Sequence, residues 1–196
     1  MASRYHASVD RALHLLERIG VVRRAARRAD AVAAGLSTAQ LDALAYLAEC
    51  NRFSNSPAAV AEYLDATRGT VSQTLRTLER KHLIERVADP RDGRVHHLRP
   101  TAAGRRVLED GPEDPFPRAL AALGADRAVL EGLLARVLAE AQRLRGRRPF
   151  GRCFECRHLR GTPDARRCGL TDEPLSARDT TLLCIEFAER ETAARE

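Results

Sequence analysis

The chain has 196 residues, 44% of them hydrophobic, 31% charged and 4% aromatic, enough apolar content for one sizeable domain with a small appendage or for two small domains. Thirty-three Lys and Arg against 27 Asp and Glu leave a net charge of +6, which favours an anionic partner over a membrane surface. With no run of about 18 apolar residues and no signal-peptide pattern, a cytoplasmic protein is expected, and its five cysteines are read as thiols or metal ligands, not disulfides.

The charge is unevenly spread. Residues 1–149 carry 25 basic and 18 acidic side chains, whereas residues 150–190 carry seven of each. Lys81 is the only lysine, so part of the arginine excess is compositional.

In chain order, Val9, Leu13, Leu16 and Ile19 give a helical stripe over residues 8–34, weakened at Gly20, with an arginine cluster on its other faces. Ser37 is placed to cap a second helix whose Leu41, Leu44 and Leu47 share a face, with Cys50 near its end as a small core residue. After the turn NRFSNS, Ser56 and Pro57 form a favoured cap and first-turn pair for a short third helix.

Residues 67–99, TRGTVSQTLRTLERKHLIERVADPRDGRVHHLR, are the stretch around which the chain is organised. Val71, Leu75 and Leu78 at i, i+4, i+7 define an apolar helix face, while Arg68, Ser72, Gln73 and Arg76 project from the other. Thr67 can cap this helix by accepting from the Thr70 N–H. Residues 84–88 and 94–99 then flank DPRDG, whose Pro90 and Gly93 suit a hairpin turn. Two short helices followed by a hairpin form a winged helix-turn-helix pattern.

Residues 36–108 resemble the MarR family of transcriptional regulators. The segment from Asp89 to Arg94 matches that family's Asp-x-Arg-Asp-x-Arg wing, and residues 98–104 its Leu-x-x-Thr-x-x-Gly signature, with Pro100 and Ala102 as variations. The resemblance implies a homodimer on double-stranded, pseudo-palindromic operator DNA, with the helix from Thr67 in the major groove and wing arginines at the minor groove. A helix fits the major groove and an arginine a narrow minor groove on physical grounds too. Thr67, Thr70 and Ser72 are then phosphate or base-edge contacts, Arg68, Gln73 and Arg76 base readers, and Arg91 and Arg94 wing contacts. Asp89 or Asp92 is expected to pair with Arg94, because a carboxylate facing phosphate is repelled.

Residues 101–110 read as a further helix, ended by the proline-rich GPEDPFP. Apolar positions return over residues 118–145, with a break expected at Gly124 and Ala125. In the resembled family the terminal helices build the dimer interface, which assigns residues 1–35 and 117–146 to dimerisation and 36–110 to DNA binding.

Residues 150–190 contain Cys153, Cys156, Cys168 and Cys184. A C-x2-C pair can bring two thiolates to one ion, and so few large apolar side chains make a bound metal a plausible folding nucleus. A single such pair departs from the two-knuckle zinc pattern. The tail resembles the cysteine modules of benzylsuccinate synthase small subunits: Cys168 with Leu170 and Thr171, Ser176 with Asp179, and Cys184 with Phe187 match Cys-x-Leu-Thr, Ser-x-x-Asp and Cys-x-x-Phe. That resemblance implies an iron–sulfur cluster of the 4Fe–4S type, with zinc as the alternative.

His158 is read as a surface or outer-sphere residue, and His96 and His97, on alternate strand faces, as no shared metal site. No Ser/His/Asp order, phosphate loop or HExxH occurs, so an enzyme is not expected. The sequence therefore points to a mainly α, winged helix-turn-helix regulator with a cysteine-rich redox, oxygen or iron sensor. A regulator with a structural zinc clip and a small effector, or an electron-transfer protein, are the competing readings.

Overall fold

A computed structural model describes residues 10–89, 92–93, 96–111 and 114–190. The long first helix, α1 (Arg11–Ala33), starts where the Asp10 carboxylate accepts from the Ala12 N–H at 2.9 Å, and it runs through Gly20 unbroken. Only Ala31 of α1 is buried, while Leu13, Leu16 and Ile19 are exposed.

The next three helices enclose the core. Helix α2 (Thr38–Glu49) opens with a reciprocal capping box between Ser37 and Gln40. Helix α3 (Pro57–Tyr63) has Ser56 as its cap and Pro57 in its first turn. Helix α4 (Arg68–Arg80) is capped by Thr67, which accepts from Thr70 N–H at 3.2 Å. Leu41, Leu44 and Leu47 of α2 meet Val71, Leu75 and Leu78 of α4, all buried. A wing follows as an antiparallel pair, β1 (Ile84–Ala88) and β2 (His96–Pro100), with Arg86 opposite Leu98.

The Leu-x-x-Thr-x-x-Gly signature has a packing explanation. Leu98 is buried under the wing, and Thr101 caps α5 (Ala102–Glu109), accepting from Gly104 N–H and donating to the His82 carbonyl. Gly104 lies so close to the Leu83 carbonyl that a Cβ there would stand 2.1 Å from its oxygen.

GPEDPFP corrects an expectation. It ends one helix, yet its second half begins another, α6 (Pro115–Ala121), because Asp114 accepts from Phe116 N–H at 3.0 Å and Pro115 occupies the first turn, where no amide donor is needed. The expected break falls at Gly124, whose φ is +54°, and α7 (Asp126–Leu144) follows, so the 118–145 segment is two helices. No single helix among the described residues is long and apolar enough to cross a membrane.

The cysteine segment is made of very short pieces: β3 (Gly151–Arg152), a 3-10 turn (Cys153–Glu155), β4 (Leu159–Arg160), β5 (Arg166–Cys168), β6 (Pro174–Leu175), α8 (Ala177–Thr180) and β7 (Leu183–Cys184). β3 pairs with β7, and β4, β5 and β6 form an antiparallel sheet. Sequence reasoning treats this segment as an appendage, but it is docked on the winged helix. The Phe150 ring meets Tyr46 and Tyr63 edge-on, with centroids 6.1 and 5.2 Å away, and Leu183 and Ile185 pack against the core.

Gly104→Ala forces the Leu83 carbonyl and α5 apart and is expected to lower unfolding stability by about 2–3 kcal/mol, read from urea denaturation midpoints. A change below about 0.5 kcal/mol would show that this contact does not fix the wing.

Candidate nucleic-acid interface and cysteine centre

α4 divides its residues by burial as the spacing predicts. Thr67, Arg68, Thr70, Gln73 and Arg76 are exposed and Ser72 is partly buried, while Val71, Leu75 and Leu78 turn inward. Among the described residues Arg68 and Arg76 form no ion pair, in contrast to Arg86, which is held by Glu79 at 2.9 Å. Two guanidinium groups therefore stand on the exposed face of a capped helix, where they can meet phosphate or a guanine edge.

The wing tip is only partly described. Arg91 and Arg94, the sequence-predicted wing contacts, lie outside the described residues, and so does the expected pairing of Arg94 with an aspartate. What is described is how the base of the hairpin is braced. Asp89 Oδ1 accepts from Asp92 N–H at 3.1 Å, while Asp89 Oδ2 is hydrogen-bonded to His97 Nε2 at 2.7 Å. The other ring nitrogen of His97 is bonded to Asn55 Oδ1, also at 2.7 Å.

In the cysteine segment, Cys153, Cys156 and Cys184 are buried and Cys168 is partly so. The Cys153 thiol is pushed up to about 11, first by burial and then by the neighbouring Cys184, Cys156 and Cys168 sulfurs. Burial also raises Cys184, opposed by hydrogen bonds from the Asn51 side chain, the Glu186 N–H and the Ser54 side chain. For Cys168, burial works upward but is outweighed by the Thr171 N–H and hydroxyl, the Leu170 N–H and the Arg52 charge, and the net direction is downward. Such N–H donors favour thiolate, the form that binds metal.

The three motif pairs of this tail each have a local role. Leu170 and Thr171 turn their amides toward Cys168. Ser176 and Asp179 form a reciprocal capping box on α8. The Phe187 ring lies over Gly151, where a Cβ would stand 2.6 Å from it. Among the described residues no three Cys, His, Asp or Glu side chains form a ready ligand array. Four thiols in one short segment nevertheless suit a thiophilic metal in donor chemistry. His158 is partly buried and supplies a carbonyl to Gly169 N–H, and its ring is not needed as a ligand. Cys50 stays in the core, its thiol pushed to about 12 by burial.

Sequence reasoning names the turn NRFSNS between α2 and α3 but misses its role. Asn51, Ser54 and Asn55 are buried polar residues there, and Arg52 reaches out to accept the module, donating to the Pro174 carbonyl at 2.6 Å and to Glu173 at 3.3 Å. The density of Asn and Ser in NRFSNS was the available signal.

This architecture, three core helices of which the last, α4, is capped and shows one face to solvent, with a hairpin after it, is that of a winged helix-turn-helix protein. Residues 34–95 match the MarR family. A MarR-family transcriptional regulator from Silicibacter pomeroyi is similar at 26% identity over 66% of this chain and 89% of that one, with a TM-score of 0.51. CouR from Rhodococcus jostii RHA1, solved bound to p-coumaroyl-CoA, has the same fold at 24% identity over 69% of this chain and 95% of its own, with a TM-score of 0.52. MepR of S. aureus, solved in complex with DNA, is 24% identical over 66% of this chain and 99% of its own, with a TM-score of 0.41. No curated protein matches the chain.

In chelator-treated protein at about pH 8, a larger thiolate fraction makes Cys168 the first cysteine to be alkylated and Cys50 the last, as peptide mass spectrometry would read it. Faster labelling of Cys50 or Cys153 than of Cys168 would contradict the arrangement around these sulfurs.

Proposed function

We propose that the chain is a homodimeric, DNA-binding transcriptional regulator whose C-terminal cysteine segment holds a metal centre, a 4Fe–4S cluster in preference to zinc, that senses redox state, oxygen or iron. The observation that carries the DNA-binding half is the exposed face of α4, with Arg68, Gln73 and Arg76 displayed on a helix inside a segment that matches the MarR family. Support for the dimer comes from α1 and α7, whose Leu13, Ile19, Val129, Leu133 and Val137 are all about half exposed or more. Apolar faces of that extent on two long helices are what a second copy would cover.

Cys153, Cys156, Cys168 and Cys184 would be the ligands. A bound cluster would supply a redox-variable charge beside the winged helix, and the chain's own residues would hold it: the Leu170, Thr171 and Glu186 amides donate to ligand sulfurs. The tail's resemblance to iron–sulfur modules and its single C-x2-C pair favour the cluster over zinc.

The DNA arm is tested by fluorescence anisotropy on a duplex from the chain's own promoter region. Affinity is expected to fall about a thousandfold or more between about 50 and 200 mM salt, because phosphate neutralisation releases counterions. Arg68→Ala and Arg76→Ala should each cost about 1–3 kcal/mol and relax sequence preference. Absence of any shift at low salt would contradict the regulator reading and leave the electron-transfer one.

A further inference from the structure

The strongest unassigned feature is the buried polar turn at residues 51–55, which touches the cysteine segment on one side and the wing on the other. Toward the cysteines, the Asn51 N–H donates to the Leu183 carbonyl at 2.9 Å, and the Ile185 N–H donates to Ser54 Oγ at 2.8 Å. These two bonds clamp β7 on either side of Cys184. Asn51 and Ser54, 2% and 0% exposed, are the side chains that work against burial in lowering the Cys184 thiol. They are held to each other, Ser54 Oγ donating to Asn51 Oδ1 at 2.8 Å. Beside them Arg52 is anchored on Glu173 and Pro174 and lies 3.6 Å from Asp179.

Toward the wing, the Asn55 carbonyl accepts from Leu98 N–H at 2.9 Å, and its side-chain oxygen bonds His97, which in turn holds Asp89. One residue thus contacts β2 through both backbone and side chain, and through His97 it reaches the end of β1. Five consecutive residues connect Cys184 with the root of the hairpin. A ladder so short leaves no slack, because the buried amide and hydroxyl groups must keep partners or be left unsatisfied in a dry interior.

We infer that the 51–55 turn is the transmission element of the protein: a change at Cys184 is taken up by Asn51 and Ser54 and delivered by Asn55 and His97 to the wing. The inference rests on the reading of Cys184 as a metal ligand. A ligand thiolate accepts a hydrogen bond from the Asn51 amide, which Ser54 holds in place, more strongly than a released thiol does, and release lets β7 move. The turn then loses its fixed position, and with it the Asn55 contacts that brace β2. Control therefore runs inside each subunit and alters the wing. It does not need the angle between two recognition helices to change.

The test uses the full chain purified anaerobically, with its own metal and after chelation, followed by hydrogen exchange of peptides covering β1, β2 and α4. Metal removal is expected to speed exchange at Leu98 and the wing about tenfold while α4 stays protected. In Asn55→Ala the same removal should change wing exchange by less than about twofold at unaltered metal content, since the link is already cut. His97→Gln, at a half-buried strand position, serves the same purpose if Asn55→Ala does not fold. Wing exchange indifferent to metal removal, or rising together with α4, or responding fully in both variants, would overturn the inference. A chain that retains no metal would overturn both this inference and the metal reading, and metal analysis before the exchange experiment tells that outcome apart.

Discussion

The docking of the Cys184 strand on the turn after α2 is the interaction from which the rest of this architecture follows. The cysteine segment has strands of two or three residues and one four-residue helix. Strands this short do not hold together alone in water. Two hydrogen bonds to the 51–55 turn, the aromatic contact of Phe150 with Tyr46 and Tyr63, and the seating of Leu183 and Ile185 give the segment a wall to fold against. A metal bound by four thiols would close it from the other side.

The same docking ties the cysteine segment to the wing through the 51–55 turn, while its Phe187 and Ala188 share a cleft with Leu133, Val137 and Leu144 of α7. Ion pairs of Arg145 with Asp65 and of Arg147 with Asp65 and Glu62 join the end of α7 to the end of α3, so the chain leaving α7 is steered toward the winged helix before it reaches Cys153. These are exposed pairs, each worth little alone. Their effect is to set direction where the aromatic and strand contacts set position.

Much of the winged helix was readable from local chemistry. Ser37, Ser56 with Pro57, Thr67 and Thr101 each announced a helix start, and each caps one. The i, i+4, i+7 spacing of Val71, Leu75 and Leu78 identified the inward face of α4 and hence the outward one. These features succeed because caps and periodicity are decided within a few residues. GPEDPFP misleads because proline, which cannot continue a helix, can open one, as Pro115 does for α6. The role of the 51–55 turn escapes the sequence for a different reason: its partners, Leu183, Ile185 and His97, are 42 to 132 residues away, and no local pattern encodes them. His97 was excluded as a shared metal ligand with His96, but its part in bracing the hairpin depended on Asn55 and could not be anticipated.

The central claim is that Cys153, Cys156, Cys168 and Cys184 form one centre built onto the winged helix. The most direct measurement is metal and sulfide analysis with an absorption spectrum on anaerobically purified protein, beside a Cys153→Ala variant. One centre per chain is expected, with iron, sulfide and visible absorbance that the variant loses while its helical circular dichroism is kept. Four freely titratable thiols without metal would contradict the account. Stoichiometric zinc and a colourless protein would keep the centre but remove the iron–sulfur assignment.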